Sequence, residues 1–165
     1  RLIDDKMANR GHERRNVKLG IGGIREVEFV VQALQVLLGT RFPGVCERNT
    51  VRALEKLAEH RILSAPDSTA LSAAYTFLRD VEHKLQMVHD LQTHSLPAKR
   101  DEIRKCALRL GYKSHGRRDP SALFLADHRR HTRRVHGVFR RLFYPARGAK
   151  LTNLLGPVRK ALKAT

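Results

Sequence analysis

Cysteine, tryptophan and acidic side chains are scarce in this sequence. The two cysteines, Cys46 and Cys106, lie far apart and outside any C-x-x-C or Cys/His metal spacing, which is typical of a reducing compartment. There is no tryptophan, and aromatic residues make up 5% of the chain, so few side chains could stack on nucleic-acid bases. No apolar run approaches the roughly 18 residues that span a bilayer, and no segment resembles a secretory signal. These absences predict a cytoplasmic protein without a membrane span.

Basic residues outnumber acidic ones by 33 to 16, and the excess is unevenly distributed. Residues 113–165 contain 14 Lys and Arg but only Asp119 and Asp127. A basic end of this kind favours a polyanion or an acidic partner face. Within it, HRRHTRRVHGVFRR, residues 128–141, alternates basic pairs with apolar residues, which is typical of an amphipathic helix with a charged outer face. A solvated face, an acidic partner and nucleic acid all stay open as its role.

Apolar residues recur at helical spacing through most of the chain, and no stretch alternates as a half-buried strand does. The sequence therefore predicts an all-α antiparallel bundle, with residues 16–145 as the bundle and 146–165 as an extension or linker. The third helix is expected to be capped by Asp67 or Ser68, after Pro66, and the last to open at Asp119 and Pro120. The five predicted helices are 23–38, 46–60, 67–91, 99–110 and 120–143.

The stretch KLGIGGIREVEF, residues 18–29, places three glycines directly before the first predicted helix. A helix start leaves about four N–H groups without partners and carries partial positive charge, so it suits an anion. Lys18 and Arg25 flank this turn with full charges. The spacing is neither a P-loop nor a dinucleotide fingerprint, because no Gly-Lys-Ser/Thr follows and Arg25 stands where the third glycine belongs. Two interpretations stay open: a tight turn that lets two elements pack closely, or a contact with phosphate.

Two predicted helices each carry a row of polar residues at intervals of three, four and three. One helix is otherwise apolar almost all round, so its row either meets polar side chains inside the bundle or faces a site. We expect Arg25 to pair with Glu82 and Glu28 with Arg79 in a buried network between the helices. The rows are Arg25, Glu28, Gln32 and Gln35 in the first helix and Arg79, Glu82, Gln86 and His89 in the third.

A cluster of histidines follows the second polar row. His83, His89, Asp90 and His94 lie close in sequence, and His-Asp is the core of a metal phosphohydrolase motif. That motif needs further, well-separated His and Asp ligands, which we do not find. We therefore expect a solvated or hydrogen-bonded cluster and no metal site.

Three ordered segments resemble the bifunctional glutamine synthetase adenylyltransferase and adenylyl-removing enzymes of bacteria. They are NVKLGIGGIREVEFVVQALQVLLGTRFP, NTVRALEKLAEHRIL and AYTFLRDVEHKLQMVHDLQTHSLP. In that family each half has a nucleotidyltransferase domain followed by a helical domain related to that of PII uridylyltransferase, and this chain resembles the helical part. The wording IREVEF with VQALQ is more similar to the adenylyl-removing half. Ile21 departs from the Arg or Pro expected there, which weakens any phosphate role for position 21.

The resemblance implies a chain cut from a longer enzyme, with residues 1–15 leading in from an absent nucleotidyltransferase domain. It further implies that the whole enzyme uses ATP and Mg²⁺, acts on glutamine synthetase, and responds to the PII signalling protein and glutamine. The residues implied to border the nucleotide are Lys18, Gly20, Gly22, Gly23, Arg25 and Glu28.

The carboxylates that such chemistry needs are not recognisable in this sequence. Metal-dependent nucleotidyl transfer uses two or three carboxylates to hold the ions, and the family signature is a glycine turn followed by Asp-x-Asp. Here Asp4 and Asp5 are adjacent, so their side chains diverge, and no glycine turn precedes them. We therefore expect no catalytic residue in this chain, no cofactor bound by it alone and no activity in isolation. The alternatives are a basic helical nucleic-acid-binding module, supported by charge alone, and a docking or spacer domain.

Overall fold

The computed structural model describes residues 15–89, 94–116 and 118–144, and for residues 88 and 89 it describes the backbone alone. Within these ranges the chain forms five α-helices, a 3₁₀ turn at Pro43–Val45 and no β-strand. The predicted all-α bundle is confirmed. The predicted lead-in up to residue 14, the extension 146–165 and the expected end of the third helix at residue 91 lie outside the described residues. The helices are α1 (Ile24–Leu38), α2 (Thr50–Glu59), α3 (Ala65–His89), α4 (Arg100–Arg109) and α5 (Pro120–Phe143).

Two helix starts differ from those that the sequence predicts. α2 begins at Thr50 rather than near Cys46, because Pro43–Val45 forms a 3₁₀ turn and the Asn49 side chain accepts a hydrogen bond from the Arg52 N–H at 3.1 Å. α3 begins at Ala65, so the expected caps Asp67 and Ser68 lie inside its first turns. Proline is tolerated in a first turn, because its missing N–H has no helical partner there anyway.

The cap of α3 is Ser64, whose hydroxyl accepts from the Asp67 N–H at 3.2 Å. The predicted opening of α5 is confirmed. Asp119 is its N-cap and accepts from the Ser121 N–H at 3.0 Å, and Pro120 is the first helical residue.

The relative directions of α1, α3 and α5 follow from the order of their side-chain contacts. Glu26 of α1 meets His136 of α5, and three residues later Phe29 meets Phe139, so α1 and α5 run the same way. α3 runs opposite to α5, because its start contacts the end of α5 through Asp67 and Arg141. The middle of α3 contacts α5 nearly three turns before Arg141, where Phe77 stacks on His131.

The core consists of two apolar clusters joined at Tyr75, which packs against both. The first cluster lies between α1, α2, the first half of α3 and the second half of α5. The second lies between the glycine turn, the second half of α3, α4 and the first half of α5, and Phe124 at its centre is fully buried. In the described part of the chain, no helix combines the length and apolar character that crossing a membrane requires.

Candidate functional site

The glycine corner, which we define as residues 17–23, packs directly on the last helix. Gly22 has φ +73°, a left-handed conformation that favours glycine, and a Cβ there would collide with the Thr132 carbonyl of α5, within 2.6 Å of its carbon. A Cβ on Gly23 would lie 2.8 Å from the carbonyl oxygens of Val17, Lys18 and Gly20. These contacts support the interpretation of a tight turn that lets two elements approach closely.

Backbone carbonyls already occupy the N–H groups at the start of α1. The Ile24 N–H donates to Val17 O at 3.0 Å and the Arg25 N–H to Lys18 O at 3.1 Å. The Gly23 N–H donates to Gly20 O at 2.9 Å. Phosphate binding at a helix start needs N–H groups without partners, and these three N–H groups already have partners. At these three positions, contact with phosphate would therefore depend on side chains.

Glu82 of α3 is the buried charge beside the corner, with 2% of its surface exposed. Its Oε1 lies 3.3 Å from the Lys18 Nζ, and its Oε2 lies 2.6 Å from the Arg79 Nη1. His94 Nδ1 lies 3.0 Å from Oε1, a close contact whose angles are not those of a hydrogen bond. A buried carboxylate is tolerated only when it is well paired, and Glu82 obtains its partners from three separate segments.

The same segments are also joined through the backbone. The Val17 N–H donates to His94 O at 2.8 Å, and the Leu96 N–H donates to Arg15 O at 2.8 Å. Asn16 and Ser95 form an isolated antiparallel bridge between them. Glu82 therefore lies where the glycine corner, α3 and the segment at 94–96 meet.

The predicted pairing between the two polar rows is not the pairing that the structure shows. Arg25 pairs with Glu28 of its own helix at 3.8 Å, and its side chain is 64% exposed. Arg79 pairs with Glu82, also of its own helix. The cation that reaches Glu82 from another segment is Lys18 of the glycine corner, which the sequence analysis had assigned to phosphate. Spacing along one helix identifies a face but not the rotation of that helix against its neighbour, so the partner could not be read from the rows.

The glutamines of the two rows lie in different environments. Gln32 is exposed and Gln86 is half-buried. Gln35 donates from its amide to the carbonyl oxygens of Val45 and Glu47, both at 2.8 Å, so it braces the connection to α2. The rows thus contribute to several local contacts rather than to one continuous network.

Two further contacts fasten the outer helices. His136 Nδ1 of α5 lies 3.2 Å from both carboxylate oxygens of Glu26 in α1. The Arg141 Nη2 donates to the Asp67 Oδ1 of α3 at 2.6 Å. Both contacts are partly solvated, so each contributes little to stability and mainly fixes the alignment of the two helices that it joins.

The basic run 128–141 forms the predicted amphipathic helix within α5. The sequence prediction missed two inward-facing histidines: His128 is 6% exposed, and His131 stacks on Phe77 with ring centroids 4.6 Å apart. Burial lowers the pKa of His128 to about 4 and also lowers the pKa of His131. The spacing of residues could have revealed this burial, because the buried positions 124, 128, 131, 135 and 138 repeat at the helical intervals of four and three.

The histidine cluster of the sequence is spread over several environments. His83 is exposed, whereas His94 contacts Glu82. The side chain of His89 and all of Asp90 lie outside the described residues. Within the described ranges, no group of three or more His, Cys, Asp or Glu side chains is placed to hold a metal ion.

This geometry defines a helical-bundle domain with a glycine corner packed on α5 and a buried glutamate that forms ion pairs with Lys18 and Arg79. Residues 3–143 match the protein family described as GlnD PII-uridylyltransferase, and the chain belongs to that family. It is also similar to the protein named bifunctional glutamine synthetase adenylyltransferase/adenylyl-removing enzyme in Rhizobium meliloti (strain 1021). The two are 47% identical over 108 residues, which cover 66% of this chain and 11% of that protein.

Two further relatives carry the same name. The protein of Bradyrhizobium sp. (strain ORS 278) is 42% identical over 139 residues, 81% of this chain and 14% of its own length. That of Rhodopseudomonas palustris (strain TIE-1) is 41% identical over 138 residues, 84% of this chain and 13% of its own length. The resemblance identified from the sequence motifs is confirmed. The chain spans only 11% to 14% of these three relatives.

Proposed function

We propose that this chain is the helical domain of an enzyme that adenylylates and deadenylylates glutamine synthetase, and that it comes from the adenylyl-removing half. The observation that carries the proposal is the similarity to enzymes of that name, at 41% to 47% identity over 66% to 84% of the chain. The wording IREVEF with VQALQ at the start of α1 supports the adenylyl-removing half.

In this proposal the whole enzyme is cytoplasmic, transfers AMP from ATP to glutamine synthetase and removes it with phosphate, under the control of PII protein and glutamine. Magnesium and the carboxylates that hold it belong to an upstream nucleotidyltransferase domain. The residues described here do not fit a magnesium site, because hard cations take several oxygen ligands and no such group converges among them.

The contribution of this domain is a positioned pair of cations beside the nucleotide. Lys18 lies in the glycine corner and Arg25 directly after it. Their side chains are 33% and 64% exposed, so both can reach a ligand. Glu82 restrains Lys18 from the buried side, while Arg25 has only a long contact with Glu28. Ammonium and guanidinium groups bind phosphate through charge-assisted hydrogen bonds. The glycines and Glu28 shape the corner that presents these two cations.

The test compares the full-length protein with the 165-residue chain in two assays. One assay measures transfer of AMP from ATP to glutamine synthetase, and the other its phosphate-dependent removal. The full-length protein is expected to perform both reactions and the chain neither, because no carboxylate motif for in-line displacement is recognisable in its sequence. A full-length protein without either activity would contradict the proposed function. Turnover by the purified chain would instead place the active site inside it.

A further inference from the structure

The outer face of α1 is apolar and uncovered, although the helix lies in a small bundle. Val36 is 83% exposed, Leu37 65% and Phe29 50%. Of the eight large hydrophobic residues that are exposed in the described ranges, these three lie on α1, and Met87 and Leu108 are the exposed ones on α3 and α4. Single exposed hydrophobics are ordinary, but a concentration on one face indicates a contact surface.

This face continues onto the end of α5 through an aromatic cluster. Phe29 packs edge-on against Phe139 and Phe143, with ring centroids 5.7 Å and 5.0 Å apart. Phe139 in turn lies 6.0 Å from Tyr144, which is 66% exposed. We define the α1 patch as Phe29, Val36, Leu37, Phe143 and Tyr144.

Two exposed arginines lie next to members of the α1 patch along the chain. Arg25 precedes Phe29 by one helical turn, and Arg140 precedes Tyr144 by one turn. Arg25 has only the 3.8 Å contact with Glu28. The structure gives Arg140 no carboxylate partner among the residues it describes. The surface that fits this patch has an apolar centre and carboxylates at its rim.

We propose that the α1 patch is an interdomain interface, covered by another domain of the same polypeptide. Apart from its polar row and Glu26, α1 is apolar, on the outer face as well as on the face toward the core, which favours a position in the interior of a larger protein. The curated relatives are far longer than this chain, which spans 11% to 14% of them, so most of the polypeptide is available to cover the patch. The chain also leaves α5 at Tyr144, inside the patch.

The experiment measures thiol labelling at one exposed position on the α1 patch and at a matched position outside it. Val36→Cys and Met87→Cys are made separately, because these side chains are 83% and 77% exposed and Met87 lies on α3. Each variant is prepared in the full-length protein and in the 165-residue chain. Labelling by a maleimide is quantified for each peptide by mass spectrometry. Slow labelling of native Cys106, which is 4% exposed, reports that the protein is folded.

We expect Val36→Cys to react at least about tenfold more slowly in the full-length protein than in the chain, because a covered side chain is labelled only on domain opening. Met87→Cys should react at similar rates in both. Adding Arg140→Glu to the full-length Val36→Cys protein should restore fast labelling.

Equal labelling of Val36→Cys in the two proteins would overturn the proposal. Protection that disappears on hundredfold dilution would overturn it too, since it would identify a second copy as the occupant. The interface rests on the proposed function for a longer polypeptide, but labelling needs no enzymatic turnover, so the two proposals can fail separately.

Discussion

The Lys18 ammonium lies 3.3 Å from the buried Oε1 of Glu82, which joins the glycine corner to α3. One carboxylate thereby holds a cation from the corner, one from its own helix and a histidine from the segment that pairs with the corner. The position of the corner and the stability of the bundle therefore depend on the same side chain.

Glu82→Gln should lower the free energy of unfolding by about 1.5 to 3 kcal/mol, because Lys18 and Arg79 lose a buried charged partner but are themselves partly solvated. Urea denaturation of the chain measures this change. Glu28→Gln is the control, and it should cost about 0.5 kcal/mol or less, since its ion pair is long and partly solvated.

A double-mutant cycle distinguishes the observed partner of Glu82 from the one that helical spacing predicted. Lys18→Met and Glu82→Gln should show a coupling of about 1 kcal/mol or more, because their side chains are in contact. Arg25→Met and Glu82→Gln should be additive within about 0.5 kcal/mol. Coupling at Arg25 and none at Lys18 would restore the predicted network.

Gly22→Ala should destabilise the chain severely, by roughly 3 kcal/mol or more, because strain at positive φ combines with a collision against the Thr132 carbonyl. Gly111→Ala isolates the strain, since Gly111 has φ +85° and a Cβ there meets nothing within 4 Å. That change should cost about 1 to 2 kcal/mol. Thermal melts of both variants give the comparison, and equal losses would show that the close approach to α5 is unimportant.

The stability of the chain should fall as the pH decreases below about 6.5. Burial lowers the pKa of His128 to about 4, with His131 and Arg129 acting in the same direction. The unfolded chain therefore binds more protons than the folded chain between the two pKa values, so acid favours unfolding in that window. We expect a loss of about 2 kcal/mol between pH 7.5 and pH 5 from His128.

His128→Leu is the matched variant for this pH dependence. Urea denaturation at pH values from about 7.5 to 5 should show a smaller loss of stability for the variant than for the parent chain, because one buried titrating group is gone. The lowered pKa of His131 leaves part of the dependence in place. Identical pH profiles for the two proteins would remove His128 as a cause.

In the full-length enzyme, Lys18→Met and Arg25→Met should each slow removal of AMP by at least about tenfold, equivalent to about 1.4 kcal/mol of transition-state stabilisation. Arg25→Met should leave the melting temperature almost unchanged, because Arg25 is largely exposed. Unchanged kinetics in both variants would reduce the corner to an architectural turn. Gln32→Met, an exposed change on the same helix, is the control.

The basic helix α5 should bind nucleic acid only weakly. Asp127 and Asp67 each pair with one of its arginines. Two of its aromatic side chains, Phe139 and Phe143, pack against Phe29, and Phe124 is fully buried. We expect dissociation constants of about micromolar or weaker at physiological salt, no preference for sequence, and a steep loss with added salt. Fluorescence anisotropy with several labelled oligonucleotides measures this. A sequence-selective complex of about nanomolar affinity would favour a nucleic-acid-binding function instead.

The helices and their turns were predictable because the signals lie within a few residues of one another. The spacing of apolar residues located all five helices, and Asp119 with Pro120 marked the start of α5. The predicted starts of α2 and α3 were wrong by a few residues, because Asn49 and Ser64 cap these helices and neither was predicted as a cap. Local chemistry also identified the glycine corner as a special turn before its packing partner was known.

The amino-acid sequence alone therefore determined the all-α class, the corner and the family, since periodicity, turn chemistry and motif order are properties of neighbouring residues. Only the tertiary structure decided that Lys18 and His94 reach Glu82, that Gly22 meets Thr132 and that the outer face of α1 is uncovered. Each of these depends on how helices far apart in sequence are rotated and placed against one another. That placement follows from the packing of the whole core, and no single segment determines it.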